Sequence, residues 1–354
     1  MRRPVRLPGP GAPTGTIAVM HLDTTLDFDP TGRWDAAAAA EADGYSAAWV
    51  TEVGHDPLAM LAGAAGRTTS LALGTSIVVA FGRSPLITAT QANDVQILSR
   101  GRLLLGLGSQ IKPHIEKRYS MPWSRPAARM REYVLALRAI WAAWNEGAAL
   151  NFRGEFYRHT LMTPFFSPAP HPYGAPKVFV AAVGEAMTEV AGEVADGLLV
   201  HPFTTVAYLR EVTLPALERG LARSGRGRDE IEIFLSGFVA SGETGELDQV
   251  RHAVREQIAF YASTLAYRGV LASVGRDDLQ APLAALARRG AWAEMGDLID
   301  DEVLESVAVT GAPAVVAAGI QERYASLVDR FSVYPLGAMT SAARRQVVAG
   351  WRAW

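Results

Sequence analysis

The segment 71–110, LALGTSIVVAFGRSPLITATQANDVQILSRGRLLLGLGSQ, predicts one strand–helix–strand unit and thereby decides the fold class. Leu71–Val79 is mostly apolar and rich in Val and Ile, as expected for a parallel strand buried on both faces. Ser84-Pro85 supplies an N-cap and a first-turn proline for a helix that ends near Ser99. A second buried strand, Arg102–Gly106, and a glycine loop follow. Parallel strands joined by a helix form a βαβ unit with a right-handed crossover.

The same alternation of strand and helix continues along the chain. The predicted strands are Thr16–Leu22, Ala47–Thr51, Leu71–Val79, Arg102–Gly106, Val178–Ala182, Gly197–Val200, Ile231–Val239 and Arg330–Pro335. The predicted helices include Trp34–Asp43, Pro57–Arg67, Ala127–Trp144, Glu185–Ala195, Ala207–Arg223 and Pro313–Tyr324. Eight strands in one alternating series predict an α/β fold, a (β/α)₈ TIM barrel, rather than an open sheet.

Two segments interrupt this alternation. Between the fourth and fifth strands, 150–157 (LNFRGEFY) predicts a small hairpin turning at Arg153-Gly154, and a proline-rich loop follows up to Pro176. We interpret this long insertion as a lid. Between the seventh and eighth strands, 262–304 predicts additional short helices.

Composition limits the classes of function. The chain has 354 residues, 49% of them hydrophobic, which one barrel domain can accommodate. We therefore expect a flexible N-terminal extension at 1–15 and a single domain at 16–354. A net charge of -2 argues against nucleic-acid binding, and the absence of cysteine excludes disulfides and thiolate chemistry. The N-terminus matches neither a signal peptide nor a membrane anchor, so we predict a cytoplasmic protein without membrane contact.

Polar residues interrupt the third strand at Gly74-Thr75-Ser76. One interpretation is a β-bulge whose hydroxyl groups bond neighbouring backbone. The other is a flat ligand lying against the backbone, which small residues permit. Local pattern alone favours the bulge.

Further polar residues lie where the predicted strands end, at the face where barrel enzymes hold their active sites. They are His21, Asp23, Glu52, His55, Asp56, Ser76, Ser109, Gln110, His114, His201 and Tyr334, and the fifth strand leads to Gly184. A zinc site is one alternative, but neither H-x-H nor H-E-x-x-H spacing occurs. Phosphate binding is another, since Gly184 leads directly into a helix whose free N–H groups favour an anion. Taken in isolation, that glycine is better explained by an ordinary strand-to-helix turn.

Several motifs together resemble the bacterial-luciferase-like oxidoreductases. They are LGTSIVVAF, LSRGR, LLLGLGSQ, GLGSQIKPHIEKRYSMPWSRPAARMREYV and VAAVGEAMTEVAGEVADG. The resemblance runs from about Thr16 to Pro335 and is strongest to an actinobacterial deazaflavin-dependent branch. It implies a TIM barrel that binds coenzyme F420, a deazaflavin, or alternatively FMN.

The resemblance also implies site residues. Ser76-Ile77 matches a non-proline cis peptide that supports the ring system, and Ser109 matches a cofactor contact. With them we assign to the cofactor Gly108, His114, Ala182, Val183, Gly184, Glu185 and His201. Glu185 departs from the pattern, since a carboxylate repels phosphate unless it points away. The resemblance suggests Glu52 and His55 for acid–base roles, because imidazole exchanges protons near neutral pH.

These features predict a coenzyme F420-dependent oxidoreductase that transfers a hydride to or from a small organic or natural-product substrate. One alternative is an FMN-dependent luciferase-like monooxygenase. A second is a non-catalytic flavin- or partner-binding barrel, since fold does not fix function. We also expect a homodimer and no metal.

Overall fold

The structure is a computed structural model that describes residues 20–26, 34–242, 244–334, 336 and 340–353 of the chain. The predicted extension at 1–15, residues 16–19 of the predicted first strand and Pro335 lie outside the described residues. Within the described part of the chain, no helix is both long enough and apolar enough to cross a bilayer.

The main sheet is a closed parallel barrel. The strands are β1 (His21–Thr25), β2 (Ala47–Val50), β3 (Ala72–Thr75), β4 (Val78–Val79), β5 (Leu103–Gly108), β6 (Phe152–Arg153), β7 (Arg158–His159), β8 (Lys177–Ala182), β9 (Gly197–Val200), β10 (Glu232–Gly237), β11 (Val239–Ser241), β12 (Val309–Gly311) and β13 (Arg330–Val333). Both β3 and β4 pair with β5, so they are two halves of one barrel strand. Around the barrel the order is β1, β2, β3/β4, β5, β8, β9, β10 and β13, and β13 pairs with β1. The predicted (β/α)₈ barrel is confirmed.

Helices surround the barrel and form its extra layers. They are α1 (Asp35–Asp43), α2 (Pro57–Ala65), α3 (Pro85–Leu98), α4 (Lys112–Lys117), α5 (Pro126–Asn145), α6 (Glu185–Val194), α7 (Val206–Tyr208), α8 (Leu214–Ser224), α9 (Thr244–Ala262), α10 (Arg268–Ala272), α11 (Gln280–Arg289), α12 (Trp292–Gly296), α13 (Asp301–Val307), α14 (Pro313–Tyr324) and α15 (Ser341–Arg352). The helix α15, which the sequence analysis missed, packs against α14.

Local sequence signals account for the best-predicted helices. The Ser84 hydroxyl accepts a hydrogen bond from the Ile87 N–H at 3.3 Å and so caps α3, as its position before Pro85 predicts. On α5, one apolar stripe at spacings of three and four is fully buried, as expected for a helix facing the sheet. Its members are Met130, Tyr133, Val134, Leu137, Ile140, Trp141 and Trp144.

The hairpin between the fourth and fifth barrel strands exists, but its strands are shifted from the prediction. β6 keeps only Phe152 of the predicted first strand and adds Arg153, and β7 begins at Arg158, after the predicted second strand. The Glu132 carboxylate on α5 accepts hydrogen bonds from the N–H groups of Glu155, Phe156 and Tyr157. These residues therefore form the turn, and pairing begins on either side of it. The hairpin is tied to α5, and no residue of 150–176 lines the main cavity described below. The structure does not support the interpretation of this segment as a lid.

The helices between the seventh and eighth barrel strands form a separate apolar core, as expected for an insertion. We call residues 244–307 the helical insertion. Its core consists of Val250, Val254, Ile258, Ala259, Ala262, Val270, Leu271, Leu279, Leu283, Met295, Ile299, Val303, Leu304 and Val307. Phe203 and Phe238 of the barrel loops join this core, so the insertion is packed onto the C-terminal end of the barrel.

The first barrel strand differs from its prediction. β1 begins at His21, which is in register with Arg330, the first residue of β13. His21 therefore lies at the N-terminal end of the barrel and Asp23 in the middle of β1, and their predicted place on the catalytic rim is wrong. Asp23 is instead buried inside the barrel, where its carboxylate accepts from Arg330 at 2.8 and 2.9 Å and from the Trp49 indole at 2.9 Å. Because of the apolar run TIAVM, the first strand was predicted several residues too early in the sequence.

Candidate functional site

A cavity of about 370 Å³ lies at the C-terminal ends of the barrel strands, beneath the helical insertion. Strand ends, the loops that follow them and the insertion all contribute to its walls. The lining residues are Thr25, Thr51, Ser76, Ile77, Gly108, Ser109, Gln110, Ile111, Ala181, Ala182, Val183, Leu199, Val200, His201, Pro202, Ser236, Tyr261, Tyr267 and Tyr334. The cavity thus lies where barrel enzymes bind their ligands.

The floor of the cavity rests on the aromatic interior of the barrel. Trp49 packs against Phe234 and Phe179, with ring centroids 4.3 and 5.6 Å apart. Ile77 and Ala181 of the cavity lining pack on this cluster. A rigid apolar floor favours a flat ring over a charged group.

The Ser76-Ile77 peptide is cis, as predicted, and it separates β3 from β4. Two glycines of β5 make room for this bend. A Cβ on Gly106 would lie 1.8 Å from the Thr75 carbonyl oxygen, and one on Gly108 would lie 2.7 Å from the Ile77 side chain. The Thr75 hydroxyl also donates to the Gly106 carbonyl and accepts from the Gly106 N–H, each at 2.8 Å. The glycines of the LLLGLG pattern are therefore explained by the close approach of two strands, which leaves no room for a side chain.

The turn between β8 and α6 borders the same cavity through Ala182 and Val183. Gly184 is the N-cap of α6, and no side chain caps that helix. Its first N–H groups are therefore available to an outside acceptor. A Cβ built on Gly184 meets nothing within 4 Å, so the turn is open. The Glu185 carboxylate accepts from Arg219 at 2.6 Å, which reduces its repulsion of an anion. This geometry fits a phosphate group.

His201 forms a cluster with Tyr261 and Tyr267 of the insertion and with Tyr334, which follows β13. Its Nε2 lies 3.0 Å from the Tyr267 hydroxyl, and its Nδ1 accepts from the Phe203 N–H at 3.1 Å. The Tyr261 and Tyr334 hydroxyls lie 2.8 Å apart. Burial lowers the pKa of His201 to about 4 and raises the pKa of Tyr267 to about 12. Both side chains are therefore neutral at pH 7.

Of the predicted site residues, seven line the cavity and five do not. Those in the lining are Ser76, Ile77, Gly108, Ser109, Ala182, Val183 and His201. Gly184 and Glu185 follow Val183 directly and are exposed at the start of α6. His114, on α4, and His55, in the loop after β2, are exposed and outside the lining.

Glu52 also lies outside the lining, and its carboxylate is occupied by other groups. It accepts from Arg83 at 2.7 and 2.9 Å, from the Val79 N–H at 2.8 Å and from the Tyr119 hydroxyl at 2.9 Å. Arg83 also donates to Asp56, the N-cap of α2. Glu52 therefore links β4 to the loop after β2.

Two groups of lining residues escaped the sequence analysis. Tyr261 and Tyr267 come from the helical insertion, whose sequence carries no motif that would single them out. Thr25 was missed because the first strand was placed too early. In the described part of the chain, no three His, Asp or Glu side chains are grouped to hold a metal ion.

Comparisons with known proteins agree with this architecture. An uncharacterized protein of Mycobacterium tuberculosis is 54% identical over 312 residues, which cover 88% of this chain and 92% of that protein. 5,10-Methylenetetrahydromethanopterin reductase of Archaeoglobus fulgidus is 26% identical over 289 residues, covering 80% and 83%. The solved structure of coenzyme F420 dependent tetrahydromethanopterin reductase from Methanopyrus kandleri has a TM-score of 0.78 at 22% identity, covering 94% and 98%. That likeness is one of fold.

The family model for luciferase-like monooxygenases matches residues 14–330. This match spans most of the chain and includes every strand of the barrel up to the start of β13. The chain therefore belongs to the luciferase-like monooxygenase family, and F420-dependent oxidoreductases are among its relatives.

Proposed function

We propose that this protein is an oxidoreductase that uses the deazaflavin coenzyme F420 to transfer a hydride to or from a small organic substrate. One observation carries the proposal: an apolar-floored cavity at the C-terminal end of the barrel adjoins the uncapped start of α6. A flat ring joined to a phosphate-bearing chain requires an apolar surface for the ring next to free N–H groups for the phosphate. The F420-dependent relatives support the choice of ring.

In this proposal the ring lies over Ile77, with Ser76, Gly108 and Ser109 beside it, since all four line the cavity. The phosphate accepts from the N–H groups at Gly184 and the first turn of α6. When bound, the deazaflavin supplies or accepts a hydride, while its carbon at the central ring position disfavours oxygen adducts. The chain's own contribution is to orient the reactants and to exclude water.

The helical insertion provides the water-excluding cover in place of the hairpin segment. Tyr261 and Tyr267 of the insertion are part of the cavity lining. His55 remains our proposed acid–base residue, exposed after β2 at the same end of the barrel. For Glu52 we now favour a role in holding β4, because its carboxylate already accepts from Arg83, Tyr119 and backbone. A homodimer and a cytoplasmic location stay predictions.

A fluorescence titration of the deazaflavin ring tests the proposal directly. We expect saturable binding of coenzyme F420 at micromolar concentration or below, with much weaker binding of FMN measured in the same way. Saturable FMN binding with no response to the deazaflavin would instead favour a luciferase-like monooxygenase. Binding of neither ring would contradict the proposal and favour a barrel without a redox role.

A further inference from the structure

The cavity lining is uncharged throughout. Among the described residues that form it, none is Asp, Glu, Lys or Arg, and its one histidine has a pKa lowered by burial to about 4. A charged group that enters such a cavity loses its hydration and gains no counterion, which is costly. Beyond the cofactor, the lining therefore favours an uncharged ligand.

The hydrogen bonds of His201 define which ring nitrogen carries the proton. The Phe203 N–H donates to Nδ1 at 3.1 Å, so Nδ1 is the acceptor and has no proton. A neutral imidazole then carries its proton on Nε2. Nε2 lies 3.0 Å from the Tyr267 oxygen, so the imidazole donates and the tyrosine accepts.

Tyr267 consequently keeps its own hydroxyl proton for another acceptor. Burial raises its pKa to about 12, so the hydroxyl stays protonated at pH 7. Among the described residues, His201 is its one hydrogen-bond partner. The hydroxyls of Tyr261 and Tyr334 bond each other at 2.8 Å, which uses one of their two protons. Tyr267 is thus a tyrosine of this cluster that lines the cavity and has a donor left to offer to it.

We propose that Tyr267 donates a hydrogen bond to the oxygen of an uncharged carbonyl or alcohol substrate, and that His201 is the residue that positions it. This inference rests on the proposed function for the cofactor that shares the cavity, and it names the substrate class. A hydroxyl whose oxygen already accepts from an imidazole has its proton directed away from that partner. The substrate oxygen completes the chain of hydrogen bonds that starts at the Phe203 N–H.

The first test examines the hydrogen-bond chain without cofactor or substrate. In ¹⁵N-histidine-labelled protein, we expect His201 to carry its proton on Nε2 and to show no titration between pH 5.5 and 8. Tyr267→Phe should shift the Nε2 resonance, because it removes the oxygen that Nε2–H contacts. A proton on Nδ1, titration near the ordinary histidine pKa, or an unmoved Nε2 signal would overturn the proposal.

The second test measures binding of a matched pair of probes by calorimetry, with and without saturating coenzyme F420. Methyl benzoylformate is an uncharged keto ester, and benzoylformate is the corresponding carboxylate, with the charge beside the ketone carbonyl. We expect the ester to bind at least roughly tenfold more tightly than the anion. Tyr267→Phe should weaken ester binding roughly fivefold to tenfold, the usual effect of one lost hydrogen bond.

Control variants separate positioning from general damage. Tyr173→Phe, in the loop outside the cavity, should leave ester binding unchanged. His201→Gln retains an N–H near the Nε2 position and should bind the ester better than His201→Ala. Equal binding of ester and anion, no ester binding, or no effect of Tyr267→Phe would refute the proposal. Failure to bind coenzyme F420 would refute the proposed function alone. The binding of ester and anion measured without the cofactor would still test the role of Tyr267.

Discussion

At the scale of single residues, the candidate site depends on which polar groups are already paired. Glu52 has Arg83, Tyr119 and a backbone N–H as partners, so it has little capacity left for a proton transfer. Both nitrogens of His201 are likewise engaged. Gly184 is different, since its turn offers N–H groups that no side chain caps. Free donors beside a cavity are the groups that a ligand can use.

We predict that Gly184→Asp weakens deazaflavin binding at least about tenfold. An aspartate at this N-cap position both repels an anion and accepts from the N–H groups that the anion needs. The fold should be retained, because a Cβ at Gly184 meets nothing within 4 Å. Fluorescence titration of the coenzyme measures the effect.

Two further variants at the same position show which property matters. Gly184→Ala should bind nearly as the wild type does, and Gly184→Asn should lie between Ala and Asp because it caps without charge. Unchanged affinity in a folded Gly184→Asp protein would place the phosphate elsewhere.

At the scale of elements, several loops that approach the barrel are held by one carboxylate each. Glu132 accepts from three consecutive N–H groups of the hairpin turn. Glu41, on α1, accepts in the same way from the N–H groups of Thr69, Ser70 and Leu71, just before β3. Each carboxylate satisfies backbone donors that have no partner in a helix or sheet, so it fixes where the next element begins.

We predict that the Glu41 cap makes stability depend on acid pH. Burial raises the pKa of Glu41, but hydrogen bonds from Ser70, Leu71 and Thr69 outweigh it and lower the pKa to about 2. Since the folded-state pKa lies below the unfolded value, this stabilisation is present above about pH 4.5 and is lost towards pH 2. Glu41→Gln should cost about 1 kcal/mol at pH 7 and less at pH 3.

Urea unfolding at the two pH values measures this difference. The matched control is Glu218→Gln, an exposed glutamate of α8, which should change stability little at either pH. An equal cost of Glu41→Gln at pH 7 and pH 3 would show that the charged cap is not the cause.

At the scale of the whole molecule, the barrel and the helical insertion both contribute to the lining of the cavity. The barrel supplies the floor and the α6 turn, and the insertion supplies Tyr261 and Tyr267. Closure of the barrel also depends on a long-range contact, because β1 pairs with β13 from the other end of the described chain. The buried Asp23–Arg330 ion pair lies at this seam, with the two residues 307 positions apart.

We predict that Asp23→Ala destabilises the protein by about 3–5 kcal/mol, because it leaves the buried Arg330 without its main partner. The control is Asp277→Ala, which breaks an exposed ion pair with Arg268 and should cost under about 1 kcal/mol. Chemical denaturation measures both. Similar costs for the two variants would mean that the seam does not depend on this ion pair.

Local signals in the sequence determined much of the fold. The Ser84-Pro85 start of α3 and the apolar stripe of α5 depend on neighbouring residues alone, so periodicity and capping rules predicted them. The cis peptide at Ser76-Ile77 and the α6 turn came from motifs that match the family, and each motif is contiguous along the chain. For the same reason seven of the predicted site residues lie in the cavity.

Tertiary structure alone decided the rest, because those features join residues that are distant in the chain. Tyr267 meets His201 across 66 positions, and nothing near either residue signals the other. Asp23 lies in the barrel interior, where it pairs with Arg330. The apolar run before Asp23 predicts instead that this residue lies at the end of a strand. A hydrogen bond or ion pair of this kind forms only after barrel closure and docking of the insertion bring its partners together. The spacing of residues along the sequence therefore cannot predict such a long-range contact.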